Sequence, residues 1–77
     1  MTKRRWVETD RFWATGTDGR TYLVIEEIEE VEFQTLQGET RVARGLKQYR
    51  LEDGHPVNVR DSGGFDIVGR GVTLTRT

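Results

Sequence analysis

Ser62 and His55 are the two side chains of this sequence that could supply a nucleophile and its base. Acyl transfer at a serine needs a base within hydrogen-bond reach, a third group to orient that base, and donors for the developing oxyanion. His55 is the sole histidine and follows the turn signal Asp53-Gly54. Ser62 lies beyond the short Val57-to-Arg60 strand, about 13 Å away for four residues at strand rise. The strand between them holds the two apart, so Asp61-Ser62-Gly63-Gly64 reads as ordinary loop chemistry, polar and rich in glycine. Other chemistries are thinner still. With no cysteine and one histidine, disulfide frameworks, thiolate catalysis and the usual zinc sites are not expected. Glu26, Glu27, Glu29, Glu30 and Glu32 lack the spacing of a calcium loop and are expected on a solvated or salt-bridged face. The glycines at 16, 19, 69 and 71 form no phosphate-binding G-x-G-x-x-G, and no helix follows them. The expectation is a non-enzyme with no catalytic residue, no metal and no cofactor.

The string Asp61-Ser62-Gly63-Gly64 resembles the nucleophile loop of trypsin-like serine proteases, but the resemblance ends at its flanks. Those loops carry a glycine before the aspartate and commonly a proline after the glycines, where this chain has Arg60 and Phe65. The fold that such a loop implies also requires a far longer chain.

Length and composition bound the rest. Seventy-seven residues make a single domain, 1–77, and a chain of this size withdraws only about 60% of its unfolded surface from water. Hydrophobic residues are 34% and charged residues 32%, yet the apolar ones gather in short Val, Ile, Leu and aromatic clusters, which argues for folding over disorder. Twelve basic against 13 acidic residues leave a net charge of −1, so no global field steers a polyanion to this chain. Lys3-Arg4-Arg5 is followed by no apolar run of signal-peptide or membrane-spanning length. A cytoplasmic protein with no membrane association is expected.

Glycines separate β-branched and aromatic clusters at the spacing of short strands and tight turns, which predicts an all-β antiparallel meander of five or six strands. A two-residue turn at Asp18-Gly19 pairs Phe12 with Ile25 and Ala14 with Leu23 on one face, and Trp13 with Val24 and Thr15 with Tyr22 on the other. A turn at Gln37-Gly38 pairs Phe33 with Val42, Thr35 with Thr40 and Gln34 with Arg41, and sets the glutamates of 26–32 beside Arg41, Arg44 and Lys47. A helix over Glu26–Leu36, suggested by Ile25, Ile28 and Val31 at three-residue spacing, competes with this strand but lacks a cap. Around Asp53-Gly54, a three-residue loop with Gly54 as a left-handed bulge pairs Tyr49 with Val57 and places Pro56 opposite Arg50. The closing hairpin, turning at Gly69-Arg70, pairs Ile67 with Val72 and Phe65 with Leu74. The expected core is Phe12, Leu23, Ile25, Phe33, Val42, Tyr49, Val57, Val59, Phe65, Ile67, Val72 and Leu74. A bend in the strand from Arg20 to Phe33 would let the sheet close into a small SH3-like barrel.

Two groups of residues suggest contact surfaces. Trp6, Trp13 and Tyr22 put aromatics on the second face of the first hairpin, to be covered by the N-terminal segment, by a protein partner or by a second copy. Arg41, Arg44 and Lys47, with Tyr49 nearby, recur on one strand in the manner of single-stranded nucleic-acid binders, although pairing with the glutamate strand would neutralise most of that patch.

The stretches GLKQYRLEDGHPVNV and GGFDIVGRGVTLTR, residues 45–59 and 63–76, resemble short bacterial all-β proteins of unknown function. That resemblance implies a small β fold and assigns no functional residue. The leading expectation is a non-catalytic β module acting by protein contact or self-association, with nucleic-acid binding as the alternative and no small-molecule substrate.

Overall fold

The computed structural model describes residues 2–77, which form six antiparallel strands in sequence order: β1 (Lys3–Gly16), β2 (Thr21–Gln34), β3 (Thr40–Leu51), β4 (Pro56–Val59), β5 (Phe65–Ile67) and β6 (Val72–Arg76). The meander closes into a barrel through Ala14, Thr15 and Gly16 of β1, which pair with Arg76, Thr75 and Leu74 of β6. Residues 26–36 hold strand and loop rather than helix. β2 gains cross-strand partners on both sides there, and a lone helix of that length would have no packing face to offset its nucleation cost.

Strand length decides the shape. β1, β2 and β3 run for 14, 14 and 12 residues, whereas β4, β5 and β6 have 4, 3 and 5. The barrel therefore closes only as far as the short strands reach. β4 pairs β3 at Tyr49 and Arg50, and the rest of the long strands continue outward as a three-stranded ribbon. The molecule measures 54 × 22 × 21 Å, and its radius of gyration of 15.8 Å exceeds the roughly 11 Å of a compact chain this long.

The core fills the barrel alone. Phe12, Ala14, Val24, Leu51, Val57, Phe65, Ile67 and Leu74 form one buried cluster, with Tyr22, Tyr49 and Val72 packed against it. Phe65 sits centrally, its ring centroid 5.4 Å from Phe12 and 5.1 Å from Tyr49. The Arg76 guanidinium lies 4.2 Å from the Phe12 centroid and closes that end by cation–π contact.

The expected core needs correction at four positions. Phe33 and Val42 belong to the ribbon, and Val42 is 59% exposed. Val59 pairs with Phe65, yet it lies beyond the last β3–β4 pair, where nothing covers it. Leu23 faces outward because the first hairpin is shifted by one residue: Phe12 pairs with Val24, Ala14 with Tyr22, Trp13 with Leu23, and Arg11 with Ile25; Ile25 shares that side but is buried there, at 2% exposure, as expected of a core residue. Val24, Ala14 and Leu51 occupy the interior in their place. The second hairpin is shifted likewise, pairing Phe33 with Arg41 and Gln34 with Thr40.

Both shifts have one cause. The Asp18-Gly19 turn is a three-residue loop in which Gly16 N–H donates to Arg20 O (2.7 Å) and Gly19 N–H to Gly16 O (3.0 Å). The second hairpin repeats this with Thr35 N–H to Glu39 O (2.8 Å) and Gly38 N–H to Thr35 O (3.0 Å). So does the third, with Leu51 N–H to His55 O (2.8 Å) and Gly54 N–H to Leu51 O (2.9 Å), as the sequence predicts there. The hairpin Arg60–Gly64 is a fourth copy. The loop's last residue is left-handed, at φ 81° for Gly19 and 91° for Gly54, and glycine adopts that conformation without a steric penalty. The closing hairpin keeps its predicted pairs, Ile67 with Val72 and Phe65 with Leu74.

Candidate functional site

His55 and Ser62 sit in the hairpin loops at opposite ends of β4. The His55 ring is held at 3.0 Å from the Val68 carbonyl, to which Nε2–H donates, and Ser62 lies on the exposed Arg60–Gly64 turn. Among the described residues no group of three or more histidine, cysteine or acidic side chains is placed to hold a metal ion. Nor, among the described residues, is any helix long and apolar enough to cross a membrane.

The aromatics expected to share one patch are dispersed. Trp13 faces outward beside Leu23 at 55% exposure. Tyr22 turns inward with Ala14, and its hydroxyl donates to Asp18. That bond raises the tyrosine's pKa and lowers the aspartate's. Trp6 stands opposite Glu29 in the ribbon, seven residues or about 23 Å along β1 from Trp13, so the N-terminal segment does not cover the first hairpin.

The basic strand is divided as well. Tyr49 belongs to the barrel interior, where its hydroxyl donates to Glu26 Oε2 at 2.8 Å. Burial, followed by this hydrogen bond, pushes its pKa up to about 12. The hydroxyls of Tyr49 and Thr9 hold Glu26 below its ordinary value. Register places Lys47 and Arg44 on one ribbon face, opposite Ile28 and Glu30, and Arg41 on the other, opposite Phe33. Lys47 alone stays beside the ring, meeting Tyr49 at Glu26, and Arg44 and Arg41 lie further along the open strand.

The glutamates of β2 are paired from both sides, where the sequence suggested β3 alone. Arg5 reaches Glu30 at 2.9 Å and Arg4 reaches Glu29 at 3.8 Å from β1. From β3, Arg50 reaches Glu27 at 2.9 Å and Lys47 reaches Glu26 at 4.0 Å. Arg41 turns instead to Glu39, at 3.1 Å. Glu27 is nearly buried, and Gln48 also donates to it at 3.2 Å. The bonds to Glu27 hold the outward face of the barrel–ribbon junction together, where Ile25 is buried between Arg11 and Arg50 of the flanking strands.

The ribbon is the feature that sequence reasoning did not find. Its three strands have no cluster of buried side chains beneath either face, and Trp6 (41%), Val42 (59%) and Leu46 (71%) are exposed. Its two outer strands have open edges. β6 pairs β1 only at Ala14–Gly16, and β4 pairs β3 only at Tyr49 and Arg50. Each edge carries one irregularity, between Glu8 and Asp10 in β1 and between Arg44 and Lys47 in β3. Comparison with protein-family models, curated proteins and solved structures gives no match to this chain.

Proposed function

We propose that this protein is a non-catalytic contact module in which the barrel is the rigid base and the ribbon is the surface that meets another polypeptide. The observation that carries this reading is the ribbon's exposed apolar set, Trp6, Val42 and Leu46, on a sheet with two open edges and no core of its own. A β ribbon that exposes both faces and both edges gains little from hydrophobic burial, and sheets of this kind become stable when a face or an edge is covered. A tryptophan held on a regular strand is also the residue type that anchors protein interfaces. The module's cytoplasmic location belongs to the same proposal, in keeping with a chain that has no cysteine.

Single-stranded nucleic acid is the weaker reading. Its three cations are interleaved with the glutamates of β2, and Tyr49 is engaged inside the barrel. Photo-crosslinking in cells tests the proposal, with the crosslinker at position 46 on the ribbon or at positions 58 and 75 on the barrel. Protein adducts from position 46 and none from the barrel positions are expected. Adducts from the barrel alone, or adducts to nucleic acid, would overturn it.

A further inference from the structure

Of the two open edges, β1 is the one whose charges can match those of a second copy of itself. Two antiparallel copies of one strand related by a two-fold axis normal to the sheet pair a central residue with its own copy, and residues equally spaced about that centre with each other. Applied to β3 with Arg44 at the centre, this rule sets Arg44 against its own copy and carries the pairing through the irregularity between Arg44 and Lys47. Like charges directly opposite are destabilising, and basic residues on an edge are a common defence against sheet-to-sheet pairing. On β1 the outcome reverses. With Trp6 at the centre, Arg4 meets Glu8 of the second copy, Glu8 meets Arg4, Arg5 meets Val7, and the two indoles lie side by side.

We propose that a second copy of this chain docks on the β1 edge in that register, joining two three-stranded ribbons into one six-stranded sheet with Trp6 on the two-fold axis. The proposal rests on the reading above that the ribbon is the contact surface, and it names the occupant. Arg4, Trp6 and Glu8 share one face, since their partners on β2 are Val31, Glu29 and Glu27. The reciprocal ion pairs therefore flank the indole pair on the same side of the joined sheet. Both charged groups are accessible: the Arg4 side chain is 68% exposed with Glu29 3.8 Å away, and Glu8 is 40% exposed. Glu8 accepts from Arg11 through both oxygens, at 3.0 and 2.7 Å, and each oxygen keeps a further acceptor site.

Neighbouring registers fail. Centring on Arg5 sets that arginine against itself, and centring on Val7 carries the pairing through the irregularity between Glu8 and Asp10 on both copies. The chosen register ends where that irregularity begins.

Charge reversal tests the proposal on the full chain. Sedimentation equilibrium of the unaltered protein is expected to give a dimer that dissociates on dilution. Arg4→Glu alone and Glu8→Arg alone each turn two attractive contacts into repulsive ones, and each should raise the dissociation constant about tenfold or more. An equimolar mixture of the two variants restores both attractions, because each chain then carries one sign throughout, and it should yield a heterodimer at wild-type strength. Circular dichroism of each variant verifies the fold, and the mixture provides the rescue. For register, Trp6→Cys should form an interchain disulfide on mild oxidation, and Leu46→Cys should not. A wild-type chain that stays monomeric at millimolar concentration, or a mixture no tighter than its components, overturns the proposal. If position 46 still crosslinks to a different protein in that case, the contact reading stands and the second copy as occupant falls.

Discussion

β2 runs through two environments with a single pattern of alternation. From Tyr22 to Glu26 every second side chain turns into the barrel, where Val24 is fully buried against Leu51 and Phe12. From Glu27 to Gln34 the same alternation continues in the ribbon, and neither face has a packed layer beyond it. Local sequence forms the strand in both halves. Burial is decided by the neighbours, and here the neighbours are β4, β5 and β6, which stop short. The barrel is thus held by apolar packing around Phe65, and the ribbon by backbone ladders and a lattice of arginine–glutamate pairs. Exposed pairs of that kind contribute at most about 1 kcal/mol each.

The difference is broken most severely by Phe65→Ala against Val42→Ala. Removing the central ring should cost about 3–5 kcal/mol, a large share of the stability of a domain this small. Trimming the exposed ribbon valine should change stability by no more than about 0.5 kcal/mol. Urea unfolding followed by circular dichroism measures both, and equal shifts of the two midpoints would contradict the division of labour.

A smaller effect is expected where barrel and ribbon join. Tyr49→Phe removes the hydrogen bond to Glu26 and should cost about 1 kcal/mol at neutral pH. The pH dependence has a definite sign. Tyr49 is raised from 10.0 to about 12 in the fold, so its contribution is complete below pH 10 and is lost as pH rises toward 12. Glu26 is lowered from 4.5, so its contribution is complete above that value and is lost as pH falls through the folded one. The gap between the stability curves of the wild type and of Tyr49→Phe should narrow as pH rises from 10 toward 12 and as pH falls through the lowered Glu26 value. A constant gap across the whole range would show that the Tyr49–Glu26 bond is not the linkage.

How much of this was legible in the sequence depends on what each turn had to satisfy. At Asp53-Gly54 a two-residue turn would have mixed polar with apolar residues on both faces, so the three-residue loop could be read, and Tyr49 indeed pairs with Val57. The same Asp-Gly pair at 18–19 reads as the shorter turn. Trp13, Leu23 and Ile25 make the outer face as apolar as the inner one, and that pattern could not reject a one-residue slip. The recurrence of one loop geometry at four hairpins is the signal that would have corrected it. The ribbon was not legible because it follows from where β4 and β6 end, which no local pattern in β1–β3 records. For the same reason local sequence does not separate Trp6 from Trp13, although the bulged length of β1 lies between them.

Native-state hydrogen exchange of the dilute, monomeric chain, resolved by residue, tests the central claim most directly. Amides of Val24, Leu51, Phe65 and Leu74 should exchange only through global unfolding, and amides of the ribbon between Glu29 and Lys47 should exchange through local opening at distinctly lower free energy. Ribbon amides as strongly protected as those of the barrel would mean that the ribbon is held by something other than the neighbours described here, and the account would fail.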